Sequence, residues 1–225
     1  IRGPARQEDG VLGGDWAASP SIQGRGVRGA RGVEDAGRFT PMTVFSNDEH
    51  HNQRGIGWRE FIRGRISEVH TSGLWLEPVI DIGSGTSSLV RPVFPGATTL
   101  DVDASCHPDV VGDILQGLPS GEGPGGTVFA IEVLEHVLDP WKATANIAKS
   151  MSHGGWLYVS VPFSCVGFHA NDVFRFTEVG LRTVLSGWFT DVVVEEYWSP
   201  LNPNKDGDAA SYLPDGLFAS ARRAR

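Results

Sequence analysis

The apolar residues Trp58, Phe61, Ile62, Ile66 and Val69 recur at helical spacing, with Arg59, Arg63 and Arg65 between them. That pattern predicts an amphipathic helix with one buried face. Beyond it the rhythm changes to short apolar runs, at residues 79–82, 97–103, 108–114, 128–131 and 156–163, each the length of a buried strand. Asp139-Pro140 reads as the start of a helix over residues 141–151, broken by Gly154-Gly155. Thr177 is placed to cap a further helix, with apolar positions Val179, Leu181, Val184 and Leu185 and a stop at Gly187. A sixth strand is expected at 192–194 and a seventh at 217–221. The alternation of strands and helices predicts an α/β fold, a doubly wound parallel sheet with helices on both faces. The Gly/Pro-rich stretch 117–126 and the polar stretch 199–214 read as connections, so residues 41–225 are expected to form a single domain.

The first strand runs into Asp81-Ile82-Gly83-Ser84-Gly85-Thr86-Ser87-Ser88. Glycines at a strand-to-helix turn permit positive φ and let a ligand approach the main chain. Thr86, Ser87 or Ser88 would cap a following helix, whose first N–H groups would face the crevice. This is a nucleotide-type binding turn. The dinucleotide fingerprint wants a third glycine where Ser88 stands. Asp101 lies twenty residues beyond Asp81, the interval at which such a unit presents a carboxylate to ribose hydroxyls. Asp103 competes for that role, since strand alternation sends it to the same side. Asp113 is expected near the C-terminal end of the third strand, as acceptor for an adenine amino group or as a turn or cap acid.

Composition narrows the partners. A net charge of −8 and a pI near 5.3 argue against nucleic acid, whose binders carry a basic footprint. No apolar run reaches membrane-span length, and no signal-peptide segment occupies the first forty residues; the default expectation is the cytoplasm. Cys106 and Cys165 form no metal-ligand spacing and are expected as reduced thiols in or near the core. His50-His51, among Asn47, Asp48, Glu49 and Asn52, point to different sides of any regular element, so a loop or helix start is expected there and no metal site. Residues 1–40, with Gly24, Arg25, Gly26, Arg28, Gly29, Arg31 and Gly32, have no periodicity and read as a disordered Gly/Arg-rich tail. The chain begins with Ile1, and a biological start at Met42 is the accompanying expectation.

Several of these stretches together resemble the class I S-adenosylmethionine-dependent methyltransferases, in the small-molecule, type 11-like group. Asp81-Ile82-Gly83-Ser84-Gly85 resembles their first motif, with Ser87 where its last glycine would stand. Glu132-Val133-Leu134-Glu135-His136-Val137, with Asp139-Pro140 after it, resembles the stretch that follows their fourth strand. Gly154-Gly155 before an apolar strand, and Phe168-His169-Ala170-Asn171-Asp172-Val173-Phe174-Arg175-Phe176-Thr177 before Gly180-Leu181, are similar to later motifs. The resemblance covers about residues 56–223. It implies a Rossmann-like, mostly parallel seven-stranded sheet whose seventh strand is antiparallel, with S-adenosyl-L-methionine as cofactor.

By the same resemblance, Asp81, Gly83, Ser84, Gly85 and Glu132 would hold the methionine side. Asp101 and Val102 would take the ribose, and Asp113 and Ile114 the adenine. His136 and His169 are the candidate bases, because imidazole titrates near neutrality, and Asp172 would orient His169. Arg175 would grip an anionic substrate or pair with Glu178 or Asp172, and Trp58 and Phe168 would line the pocket or the core. The implied reaction is methylation of a small molecule, O-methylation of a sugar or natural-product hydroxyl. The alternatives are a non-catalytic cofactor-binding member of the fold and an NAD-dependent oxidoreductase. Ser160-Val161-Pro162-Phe163 lacks the run that holds a flipped base's amino group.

Overall fold

The structure, a computed structural model, describes residues 49–118, 125–163, 171–202 and 213–224, all within the unit Thr43–Arg225. The tail, Met42, Cys165, Phe168 and His169 lie outside the described residues.

In chain order the elements are α1 (Glu49–Ser72), β1 (Val79–Ile82), β2 (Thr98–Asp101), β3 (Val110–Val111), β4 (Gly125–Ile131), α2 (Pro140–Lys149), β5 (Met151–Pro162), α3 (Glu178–Ser186), β6 (Phe189–Tyr197) and β7 (Gly216–Arg223). The strands form one seven-stranded sheet in the order β3-β2-β1-β4-β5-β7-β6. From β3 to β5 all neighbours are parallel, while β7 runs antiparallel to both β5 and β6. The sheet is therefore mixed, and it reverses direction of winding between β1 and β4, the place where open α/β sheets bind ligands.

Alternate residues of the central strands feed two cores. Ile80, Ile82, Val128, Ala130, Leu157 and Val159 pack with Ala143 and Ile147 of α2 and Leu181 and Leu185 of α3. On the opposite face Val79, Phe129, Ile131, Tyr158 and Phe218 pack with Trp58, Ile62, Ile66 and Val69 of α1. Helices on both faces are thus present, and the helical spacing of the α1 apolar residues accounts for one of those faces. Val179, expected in the apolar stripe of α3, faces solvent instead. Among the described residues no helix is long and apolar enough to cross a membrane.

The ends of α2 and α3 follow their capping residues. The Asp139 carboxylate accepts from the Lys142 N–H with Pro140 in the first turn, and Thr177 accepts from the Gly180 N–H. The expected break at Gly154-Gly155 is corrected: α2 ends at Lys149, and both glycines lie inside the 12-residue strand β5. The reason is steric. A Cβ on Gly155 would stand 2.6 Å from the Gly126 carbonyl oxygen, and one on Gly126 only 2.4 Å from that of Glu77. The glycines permit close backbone contact where the β4–β5 register shifts.

Near the N-terminal end of α1, Arg54 forms a buried ion pair with Asp215, Nε to Oδ1 at 2.7 Å. The other Asp215 oxygen accepts from the Ser199 N–H at 2.8 Å and the Asn202 amide at 2.6 Å. Gly216 follows, and a Cβ there would meet the Trp58 ring at 2.7 Å. The pair and the missing side chain seat α1 against the start of β7.

Gly155→Ala should lower unfolding stability by roughly 1–3 kcal/mol, because its Cβ meets backbone and not a flexible side chain. Gly64→Ala, mid-α1 with open space around it, should raise stability by about 0.5–1 kcal/mol. Urea unfolding of the two variants checks both signs.

Candidate active site

The turn after β1 takes the backbone that its glycines permit, with φ +68° at Gly83 and +56° at Gly85. A side chain at Gly83 would also strike Val133, 2.4 Å from its Cγ2. The expected helix after this turn is absent: residues 83–97 are turns up to β2. Ser88 caps only a single turn, its hydroxyl accepting from the Arg91 N–H at 2.9 Å and donating to Asp81 Oδ2 at 2.6 Å. Nor do the first amides of the turn face a ligand. The Gly83 N–H donates to the Leu100 carbonyl at 2.7 Å and the Gly85 N–H to Asp101 Oδ2 at 2.8 Å. The turn is fastened to β2 by the groups expected to cradle a ligand.

Asp101 ends β2, largely buried, and its Oδ1 accepts from the Asp103 N–H at 2.9 Å. Asp103 is exposed and caps the one-turn 3-10 helix Ala104–Cys106. The two acids therefore differ: Asp101 is held by two backbone amides, and Asp103 faces water. Asp113 is not in a strand, because β3 contains only Val110 and Val111. Its carboxylate accepts from the Leu115 N–H at 2.8 Å and caps the 3-10 turn Ile114–Gln116. The cap-acid alternative holds for Asp113, which nonetheless borders the same cavity as Asp101.

At the end of β4, Glu132 adopts φ +58°, a left-handed conformation that costs a non-glycine residue on the order of 1–2 kcal/mol. Its carboxyl accepts from the Ser160 hydroxyl at 3.2 Å. Burial pushes it up to about 7, opposed by Trp58, Ser160, Arg175 and Arg59. In the turn that follows, Glu135 is only 1% exposed. Burial, with Glu132 and Asp172 nearby, drives it well above the usual carboxylate range, and its Oε2 has no hydrogen-bond partner among the described residues. His136 stands between acids, Nδ1 3.2 Å from Asp172 Oδ1 and Nε2 3.7 Å from Glu135 Oε1. Its Nδ1 also lies 3.3 Å from the Asn171 carbonyl. With only acceptors on that side, the Nδ1 position carries the proton and Nε2 is left as acceptor. The hydrogen bond that orients His136 is the one from Nδ1 to the Asn171 carbonyl, with Asp172 beside it. His169, which Asp172 was expected to orient, lies outside the described residues. Arg175 donates to Asp172 at 2.6 Å and to the Pro162 carbonyl at 3.4 Å, so the expected alternative of a structural pairing is the one present.

Two cavities flank the β1 turn. The larger, about 540 Å³, is bordered by Asp101 at the end of β2, by Val102 and Asp103 just after it, by Asp113 and Ile114, and by Glu132 and His136. Its size lies within the 300–1,000 Å³ typical of small-molecule sites. Cys106 also borders it, as a half-buried free thiol. The smaller, about 260 Å³, is bordered by Asp81, Ser84, Thr86, Ser87, Glu132 and Arg59. Asp81 is 2% exposed, and burial raises it to about 6 against the Ser88 hydrogen bond. Sequence reading placed Arg59 on α1 without a role, gave none to Ser160, and gave Glu135 only that of a partner for a structural His136. The helical period that put Trp58 in the core puts the next residue, Arg59, at its edge, a signal open to inspection.

Comparison with known proteins bears on the fold that carries this crevice. No protein-family profile matches the chain. Two ubiquinone biosynthesis O-methyltransferases, from Caulobacter vibrioides and from Caulobacter sp. strain K31, are each 29% identical over 163 residues, covering 64% of this chain. The chain spans 64% of the length of these curated relatives. Among solved structures, the N-methyltransferase NodS from Bradyrhizobium japonicum WM9 is similar at TM-score 0.56 and 18% identity, over 75% of this chain and 98% of that one. A methyltransferase from Archaeoglobus fulgidus matches at TM-score 0.55 and 15% identity, over 73% and 94% of the two chains. These likenesses show a shared fold.

The raised carboxyls carry a pH signature. Asp81 and Glu132 ordinarily titrate near 3.8 and 4.5 but hold their protons to about 6 and 7 in the folded chain. The folded state therefore binds more protons between about pH 4 and 7, and stability falls as pH rises through that window, by on the order of 1–3 kcal/mol per group. Urea unfolding at pH 5 and pH 8 should show the loss, and the double variant Asp81→Asn/Glu132→Gln should reduce it to the share that Glu135 contributes. An equal loss in the variant contradicts the assignment.

Proposed function

We propose that this chain, a class I S-adenosylmethionine-dependent methyltransferase by fold and by its similarity to the Caulobacter proteins, is an enzyme that methylates a small molecule. Its domain of residues 41–225 binds S-adenosyl-L-methionine across the two cavities beside the β1 turn. The observation that carries this reading is their shared border at Gly83, Gly85 and Glu132. On one side lie the acids suited to a ribose and an adenine. On the other lie a cation and acids suited to an amino acid.

The residues present fit such a group. Arg59 suits the carboxylate of the methionine portion, and Asp81 and Glu132 suit its positive charges. Asp101 keeps acceptor capacity beyond its two amide bonds, since each carboxylate oxygen has two lone pairs. Val102 and Ile114 offer apolar contact for the adenine. When bound, the cofactor supplies an activated methyl group for in-line displacement. The chain's own part is to orient the acceptor and hold its proton. His136 serves as base through Nε2, kept in the required tautomer by the Asn171 carbonyl at Nδ1.

The acceptor is a hydroxyl of a sugar or natural product, consistent with the O-methyltransferase names of the relatives. The acidic crevice and the net charge of −8 disfavour a nucleic acid. The compartment is the cytoplasm, where thiols such as Cys106 stay reduced.

Isothermal titration with S-adenosylmethionine, S-adenosylhomocysteine and NADH tests the cofactor. The first two should bind and NADH should not; NADH binding alone would overturn the reading. Asp101→Asn should weaken cofactor binding by roughly tenfold or more, the value of a charge-assisted hydrogen bond, and Asp103→Asn should change it less. Methyl-labelled cofactor offered with sugar, phenol and amine probes identifies the acceptor class. On an acceptor so found, His136→Ala should lower kcat by about 10²–10⁴ with cofactor affinity kept.

A further inference from the structure

The sulfur of S-adenosylmethionine joins its ribose to its methionine side chain, so on the cofactor reading above the sulfur sits where the two cavities meet. Three residues border both cavities: Gly83, Gly85 and Glu132. Two of them have no side chain. The carboxyl of Glu132 is the side chain at that junction, held there by its left-handed backbone and by the Ser160 hydroxyl. We propose that Glu132 recognises the sulfonium charge and thereby separates S-adenosylmethionine from its neutral product, S-adenosylhomocysteine.

The groups that face Glu132 are Trp58 and Arg59 of α1, Ser160 of β5 and Arg175 ahead of α3, with Glu135 in the turn after β4. Asp81 borders the smaller cavity with it and His136 the larger, and Asp172 lies behind Glu135. Glu132 keeps its proton up to about 7 in the free chain. A sulfonium beside it favours the ionised form; a thioether does not. The preference of the site for the charged cofactor therefore grows as pH rises through neutrality. After methyl transfer the sulfur is neutral, the attraction is gone, and the product leaves a site that no longer discriminates in its favour.

The test is isothermal titration of the full chain with both ligands at pH 6 and pH 7.5. In the unaltered protein the affinity ratio of S-adenosylmethionine to S-adenosylhomocysteine should rise about fivefold between the two, as linkage to one carboxyl titrating near 7 requires. In Glu132→Gln the ratio should stay flat, with S-adenosylhomocysteine bound within about threefold of its original strength, which also reports an intact fold. A flat ratio in the unaltered protein overturns the proposal, as does an undiminished rise in Glu132→Gln. Should Glu132→Gln bind neither ligand, the trend in the unaltered protein decides alone. Failure of the unaltered protein to bind either ligand overturns the cofactor reading itself, an outcome distinct from binding without pH dependence.

Discussion

The carboxylate of Asp101 ties the site together. One oxygen accepts the Gly85 amide and the other the Asp103 amide, so a single side chain fixes the β1 turn, the end of β2 and the start of the loop beyond it. The Leu100 carbonyl adds the Gly83 amide to the same tie. In many α/β proteins a helix N-terminus steadies the first turn; here β1 is followed by turns, and β2 takes over that work. The glycines are needed because the turn must bend with positive φ, and because Val133 leaves Gly83 no room for a side chain.

Around that tie the chain gathers acids faster than it neutralises them. Asp81 and Glu135 are buried, Glu132 is half-buried, and all three are raised, while Arg175 pairs with Asp172 and the Pro162 carbonyl. Each carboxyl holds its proton to a higher pH than usual because ionising it away from water costs more than the nearby cations return. Such an arrangement weakens the free chain near neutral pH and suits a ligand that brings positive charge. At the start of β7 the polar contacts are closed within the chain: Arg54 and Asp215 secure α1 through a buried pair joined by Ser199 and Asn202. That anchoring sets Trp58 and Arg59 against the crevice, so the wall of the site is a consequence of packing far from the chemistry.

Much of this was legible in residue order. The apolar runs located the strands, and Asp139-Pro140 and Thr177 located two helix starts, since those signals are local and act through the first turn of backbone. The β1 turn and the Glu132–His136 stretch were legible because their residue types leave few other uses. Gly154-Gly155 misled, because a glycine pair reads equally as a helix stop or as a close approach of backbones, and only the partner strand distinguishes them. Asp113 was placed in a strand because Val110-Val111 promised a longer one. The cluster of Glu135, His136, Asp172 and Arg175 was hidden in part, since it depends on a chain reversal over thirty-odd residues that no local pattern encodes. The same is true of the Asp101 tie, which spans β1 and β2 in space.

The account rests on the crevice beside the β1 turn being where a sulfur-bearing nucleoside lodges. The most direct measurement is a crystal structure of the chain soaked with S-adenosylhomocysteine. The account predicts the ribose hydroxyls on Asp101, the sulfur beside Glu132 and the methionine carboxylate toward Arg59. Density for the ligand anywhere else, for instance in the groove over β5 and β7 bordered by Trp156, Tyr158 and Phe218, with residues 81–85 and Asp101 bare, would contradict it.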